Sequence, residues 1–141
     1  MTGEIVLGYD GSDGAKAAVP HGVALAQGLG VPLVLAFAHG ANPVGGGAGD
    51  LSRAAAEIGR TLLDEGAALA RDVDPQVEVK TALVNAMPVD GLIALAEQTK
   101  ARMLIVGGNG RGALMGSLLG SIDYKILHQT VVPVLVVQPP D

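Results

Sequence analysis

Apolar residues along this chain gather into short, nearly unbroken runs separated by longer segments in which they recur every three or four positions. The short runs are residues 4–9 (EIVLGY), 31–38 (VPLVLAFA), 77–84 (VEVKTALV), 102–107 (RMLIVG) and 131–137 (VVPVLVV). Unbroken apolarity, in place of strict alternation, marks strands covered on both faces, as in a parallel sheet. Between these runs, Leu51, Ala55, Ile58, Leu62 and Leu69 form one helical stripe. Val89, Leu92, Ile93 and Ala96 form a second, and Leu119, Ile122 and Ile126 a third. A further helix is predicted over 13–29, where Pro20 calls for a kink or a late start.

Five strands alternating with four helices imply right-handed crossovers. The predicted fold is therefore α/β: an open five-stranded parallel sheet with helices on both faces, Rossmann-like. Neither an internal repeat nor a linker divides the sequence, so residues 1–141 read as one domain. Residues 42–50 (NPVGGGAGD) read as a flexible loop between the second strand and the second helix. With the common strand order 3-2-1-4-5, the order reverses between strands one and four. Ligands of such sheets bind beyond the strands' carboxyl ends at that reversal. The turns after Tyr9 and after Val106 then share one crevice.

Composition alters this picture in few places. The chain is 49% hydrophobic but only 2% aromatic (Tyr9, Phe37 and Tyr124), so the core must be built from Val, Leu, Ile and Ala. A net charge of −5 without a basic cluster disfavours nucleic acid as a partner. The absence of cysteine removes disulfides, a thiol nucleophile and thiolate metal sites, and fits a reducing compartment. The start MTGEIVLGYD lacks the basic region of a signal peptide. From Ala17 to Gly49 no residue is charged, yet Pro20, His21, Gln27, Gly28, Gly30, Pro32 and His39 interrupt any apolar run of membrane-spanning length. A cytoplasmic protein without membrane contact is expected.

The candidate chemistry lies in residues 107–122, GGNGRGALMGSLLGSI, where the fourth strand gives way to a helix. Glycines let a backbone approach a ligand closely, and exposed N–H groups leading into a helix form an anion site. A phosphate chain is the natural occupant. Hydrogen bonds to a charged group contribute roughly 1.5–3 kcal/mol each, and association costs roughly 4–15 kcal/mol. A base and sugar must therefore add to the binding. Gly107 and Gly112 have P-loop spacing, but Ala113 stands where the lysine belongs. Gly108-Asn109-Gly110-Arg111-Gly112-Ala113 meets the loose dinucleotide pattern, but it follows the fourth strand, and too little chain remains for the usual ribose-binding acid.

A third pattern fits in full. Gly107-x-x-Gly110, nine residues, then Gly120-Ser121 matches the nucleotide motif of the universal stress protein family. The surrounding LIVGGNGRGALMGSLLGSIDYKILHQTVVPVLVV resembles that family's C-terminal half, and IVLGYDGSDGA its first strand and acidic turn. The resemblance implies that Gly8, Tyr9 and Asp10 lie beside a nucleoside, with Asp10 on the ribose or on a phosphate-bound Mg or Mn ion. It implies further that the backbone of Ala38 meets adenine, that Val106 packs near the base, and that Gly107, Gly108, Asn109, Gly110, Arg111 and Gly112 wrap the phosphates. Gly120, Ser121 and Ile122 would close the site. The ligand implied is ATP, in a small protein whose nucleotide occupancy tunes a stress or survival response. Cyclic AMP binding, a nucleotide-free dimer and slow ATP hydrolysis remain as alternatives. The chain departs from the family pattern at Gly108 (commonly Ser), Arg102 (Asp) and Ala86 (Gly).

Plainer readings stand beside these. Asp10 could cap the first helix together with Ser12 or Asp13. Arg111 could clamp a phosphate or stay solvated. His39 follows the second strand at the crevice rim without a partner at metal-ligand spacing, and His21 and His128 read as structural. No G-x-S-x-G elbow surrounds Ser12, Ser117 or Ser121, so no catalytic residue is assigned. The apolar C-terminal strand, left at a sheet edge, invites pairing with a second copy, and a homodimer is expected.

Overall fold

The sheet grows outward from Ile5–Gly8 (β1), which the computed structural model pairs in parallel with two neighbours at once. Ile5 lies level with Leu33 of Leu33–Ala38 (β2) on one side and with Met103 of Met103–Gly107 (β4) on the other. Val79–Val84 (β3) flanks β2 and Val134–Val137 (β5) flanks β4, giving the predicted order β3-β2-β1-β4-β5, parallel throughout. The structure describes residues 3–40, 48–86, 88–108, 126 and 129–140. The helices are Asp13–Leu29 (α1), Ala48–Val73 (α2) and Pro88–Gln98 (α3). Of the fourth predicted helix, Ile126 and Gln129 are described and helical, while Leu119 and Ile122 lie outside the described residues.

Alternation along β1 divides the core in two. Ile5, Leu7 and Tyr9 pack under α1 and α2 with Ala15, Val19, Val23, Leu63 and Ala67. Val6 turns the other way and joins Val34, Ala36, Leu104 and Val106 beneath Leu92, Ile93 and Ala96 of α3, with Ile126 fully buried beside them. Each Val, Leu or Ile removed from water contributes roughly 1.5–3 kcal/mol. The exposed pair of Lys80 and Glu4, at 2.8 Å, adds at most about 1 kcal/mol. Apolar layers hold this molecule together.

The strands are shorter than the apolar runs that predict them, although their ladders continue. Tyr9 N–H donates to the Ala36 carbonyl, His39 N–H to Val84 and Gly108 N–H to Val137. Pro133 has no N–H to give, and β5 starts only at Val134, leaving Val131 88% exposed. At its other end the loop predicted over 42–50 is cut short, because α2 already begins at Ala48.

Two helical expectations are corrected. α1 does not start late: Ser12 caps it, its Oγ accepting from Ala15 N–H, and the helix runs from Asp13 through Pro20, an exposed position. It ends at Gly30, whose φ of 69° is a left-handed cap. In α2 the predicted stripe holds in part: Leu62 and Leu69 are half-buried against the core, but they flank the buried face and do not centre it. Ile58 is 58% exposed, and the face against the sheet is formed by Gly59, Leu63, Gly66, Ala67 and Ala70. Gly59 accommodates Phe37 and Leu83, and Gly66 accommodates Leu35 and Tyr9, so the glycines and not the bulkiest residues choose the face. The α3 stripe is as predicted, with Leu92, Ile93 and Ala96 buried.

The tightest contact in the fold is between main chains. A Cβ at Gly107 would fall 2.3 Å from the Gly14 carbonyl carbon and 2.4 Å from Ala15 N; a Cβ at Gly14 would fall 2.1 Å from the Gly108 oxygen. Backbone cannot yield as a side-chain tip can. We expect Gly107→Ala to cost about 3 kcal/mol in chemical denaturation. Gly28→Ala, near the end of α1 with open space around it, should instead gain about 0.5–1 kcal/mol.

Candidate functional site

In a parallel sheet all carboxyl ends point one way, so the turns after β1, β2 and β4 open on the same rim. Leu7 lies opposite Ile105, and counting on from there sets Asp10 level with Gly108. The first turn of α1 seats against Gly107 and Gly108, which fastens the acidic turn to the glycine turn. The structure thus brings together Gly8, Tyr9 and Asp10 with Val106, Gly107 and Gly108. Asn109, Gly110, Arg111, Gly112, Gly120, Ser121 and Ile122 lie outside the described residues.

Each described residue has a definite setting. Gly8 faces α3, where a Cβ would come 2.9 Å from Leu92 Cδ1. Asp10 is exposed, and its Oδ1 accepts from Ser12 N–H at 3.0 Å. The carboxylate therefore braces the capping residue while Ser12 itself caps the helix. Between them Gly11 takes a φ of +79°, strained for any other residue, and lies against Leu62. Ala38 is half-buried at the end of β2 against Gly91 of α3, and Val106 is 5% exposed in the second core layer.

Tyr9 is placed differently from its two neighbours. Its ring is 1% exposed and lies in the core under α2, and its hydroxyl donates to Glu65 Oε1. Burial raises its pKa far above the ordinary phenol value, and the hydrogen bond to Glu65 and the charges of Glu65 and Asp10 add to the rise. The hydroxyl is a permanent donor at physiological pH, tying β1 to α2 just below the Asp10 turn. Glu65 escapes sequence reasoning because one carboxylate on a polar helix face carries no signal. Gly14 escapes it too, although a small residue in the first turn of a helix following a predicted strand was there to be read.

His39 sits at the end of β2, its N–H on the Val84 carbonyl and its ring stacked on Phe37 with centroids 6.4 Å apart. Its Nδ1 is buried without a hydrogen-bond partner. Among the described residues no three His, Asp or Glu side chains cluster to hold a metal, and no helix is long and apolar enough to cross a membrane. An open hollow of about 380 Å³ is lined, among the described residues, by Asp13, Lys16, Ala17, Pro139 and Pro140, none of them a predicted site residue.

The chain is similar to known proteins in sequence and in fold. The model of the universal stress protein family matches residues 1–138. A universal stress protein of Mycolicibacterium smegmatis is 34% identical over 141 residues, covering 96% of this chain and 45% of that protein. The chain thus spans under half of that relative's length. A universal stress protein of Mycobacterium tuberculosis is 30% identical over 139 residues, covering 94% of each. Among solved structures, a universal stress protein in complex with cAMP superposes with a TM-score of 0.75 at 27% identity, covering 99% of this chain and 98% of that one.

The Tyr9 hydroxyl generates a pH prediction. A raised folded pKa means that its contribution is complete below about pH 10, the ordinary phenol value, and is lost as pH rises beyond it. Tyr9→Phe should cost about 1 kcal/mol at neutral pH. The gap between variant and parent, measured by urea denaturation, should narrow as pH rises above about 10.

Proposed function

Because the chain belongs to the universal stress protein family, we propose that it is a single-domain cytoplasmic protein that binds ATP or a related adenine nucleotide at the carboxyl ends of β1 and β4, and that occupancy regulates a stress or survival response. The observation that carries this reading is the seating of the Asp10 turn beside Gly107 and Gly108 at the reversal of strand order. An exposed carboxylate there suits ribose hydroxyls. The small, half-buried Ala38 at the end of β2 leaves room for a flat base against its backbone, and the unpartnered Nδ1 of His39 beside it suits a ligand with polar edges. The residues present therefore fit an adenine nucleotide. Asp10 would meet Mg or Mn through the nucleotide's phosphates and not as a preformed cation site.

In this reading the chain binds and signals, with slow ATP hydrolysis as its upper limit. Gly107 has a double duty: its missing side chain admits α1, and its backbone begins the turn on which the phosphates would rest. Asn109, Gly110, Arg111, Gly112, Gly120, Ser121 and Ile122 are assigned to the phosphates by their place in the motif. Cyclic AMP is the second reading, supported by the similar protein that holds it.

Nucleotide released from the denatured protein should chromatograph as an adenine nucleotide, and calorimetric titration of the stripped protein should rank ATP against ADP, AMP and cyclic AMP. ATP binding that survives unchanged in Gly110→Val would overturn the phosphate assignment, and tightest binding of cyclic AMP would select the second reading. We propose in addition a homodimer through β5, an edge strand beside the exposed Val131. Sedimentation should give twice the chain mass, and Val131→Lys, at the exposed position beside β5, should weaken the dimer; a monomeric parent would sink this assignment.

A further inference from the structure

Both chain neighbours of Asp10 are held by one stretch of α2. On one side, the Tyr9 hydroxyl donates to Glu65 Oε1 while Tyr9 N–H donates to the Ala36 carbonyl at 2.8 Å, so the residue is fastened at its main chain and at the far end of its ring. On the other side Gly11 lies against Leu62. A Cβ at Gly11 would fall 2.7 Å from Leu62 Cδ2 and 3.9 Å from Glu65 Oε1, and these two α2 residues stand about one helical turn apart. Asp10 itself is exposed, and its Oδ1 accepts from Ser12 N–H. Its direction is therefore set by the residues on either side.

From this hold on Tyr9 and Gly11 we propose that Glu65 is a positioning residue of the nucleotide site proposed above, on which this inference rests. It touches no nucleotide. It acts through the two neighbours of Asp10, keeping that carboxylate turned toward the ribose hydroxyls that a nucleotide would offer. The charges of Asp10 and Glu65 both bear on the Tyr9 hydroxyl, and the hydroxyl gives its proton to Glu65. Asp10 is not called on to satisfy it, and Oδ2 is left to accept from a ligand. Without Glu65 the phenol becomes a donor without an acceptor, and relieving it means shifting Tyr9 and the turn that follows.

The test is calorimetric titration with ATP and with 2′,3′-dideoxy-ATP, which lacks both hydroxyls that Asp10 would accept. Removing a carboxylate also lessens its repulsion of phosphates, but it does so equally for two triphosphates. The ratio of the two affinities therefore isolates the ribose contact. In the parent protein it should favour ATP about tenfold. Glu65→Ala should lower the ratio to about threefold or less, whereas Glu65→Gln, whose Oε1 still accepts from the hydroxyl, should keep it within about twofold of the parent. Tyr9→Phe should match Glu65→Ala, and the two changes together should lower the ratio no further. A parent-like ratio in Glu65→Ala overturns the assignment even if both nucleotides bind more weakly, because that pattern belongs to a general loss of structure. A ratio as low in Glu65→Gln as in Glu65→Ala overturns it too. A parent that binds the two nucleotides alike has no ribose contact to position, which sinks this inference and spares the nucleotide reading. A parent that binds neither overturns that reading and this inference with it.

Discussion

The rest of the molecule depends on one close approach of main chain to main chain, where the first turn of α1 at Gly14 and Ala15 meets the end of β4 at Gly107 and Gly108. Two crossovers meet there, one leaving β1 and the other leaving β4. A methyl group on either side would pry them apart. The same demand for closeness runs along α1, whose buried face of Gly14, Ala15, Ala18, Gly22 and Ala26 carries only Val19 and Val23 as larger residues. At Gly22 an added Cβ would meet Leu7 and Leu33 at 2.9 and 3.1 Å. A helix faced with small residues can sit low on its sheet, and that is what sets the acidic turn beside the glycine turn.

Stability and orientation are supplied by different interactions. The two apolar layers provide the first, with Ile5, Leu7, Leu33 and Leu35 on one face and Val6, Val34 and Leu104 on the other. The polar contacts between β1 and the first turn of α1 and α2, among the described residues, are individually modest: Tyr9 on Glu65, Asp10 on the Ser12 amide, and Ser12 on Ala15 N–H. Each contributes about 1 kcal/mol. They fix the path of the chain from β1 into α1. Because Tyr9 reaches across to α2, the second helix takes part in holding a turn that it does not itself contain.

Much of this was readable in the residues. Unbroken apolar runs found five strands and their parallel direction, because strands covered on both faces cannot hide their composition, while the order came from what is common in such sheets. The α3 stripe held because its bulky residues Leu92 and Ile93 face the core, with Ala96 buried beside them and Val89 half-buried against the same layer. The α2 stripe held only at Leu62 and Leu69, for the opposite reason. Periodicity weighs bulky residues, whereas Gly59 and Gly66 are the positions that touch Phe37, Leu83, Leu35 and Tyr9. Alternation sends the side chains of Ile5, Leu7 and Tyr9 to one side of the sheet, so the Tyr9 ring packs in the core and leaves its main chain at the rim. Gly107 read as room for a ligand, yet its Cβ position is filled by α1. Spacing in sequence identifies an empty Cβ and not the atom that fills it.

The buried tyrosine has an optical consequence. The chain contains no tryptophan, so its near-ultraviolet absorption comes mainly from phenol rings. One of those rings is clamped in a chiral core with its hydroxyl on a carboxylate, a setting that quenches emission and sharpens circular dichroism. Loosening of the second helix from the opening strand would brighten the fluorescence and flatten the dichroism without any label attached.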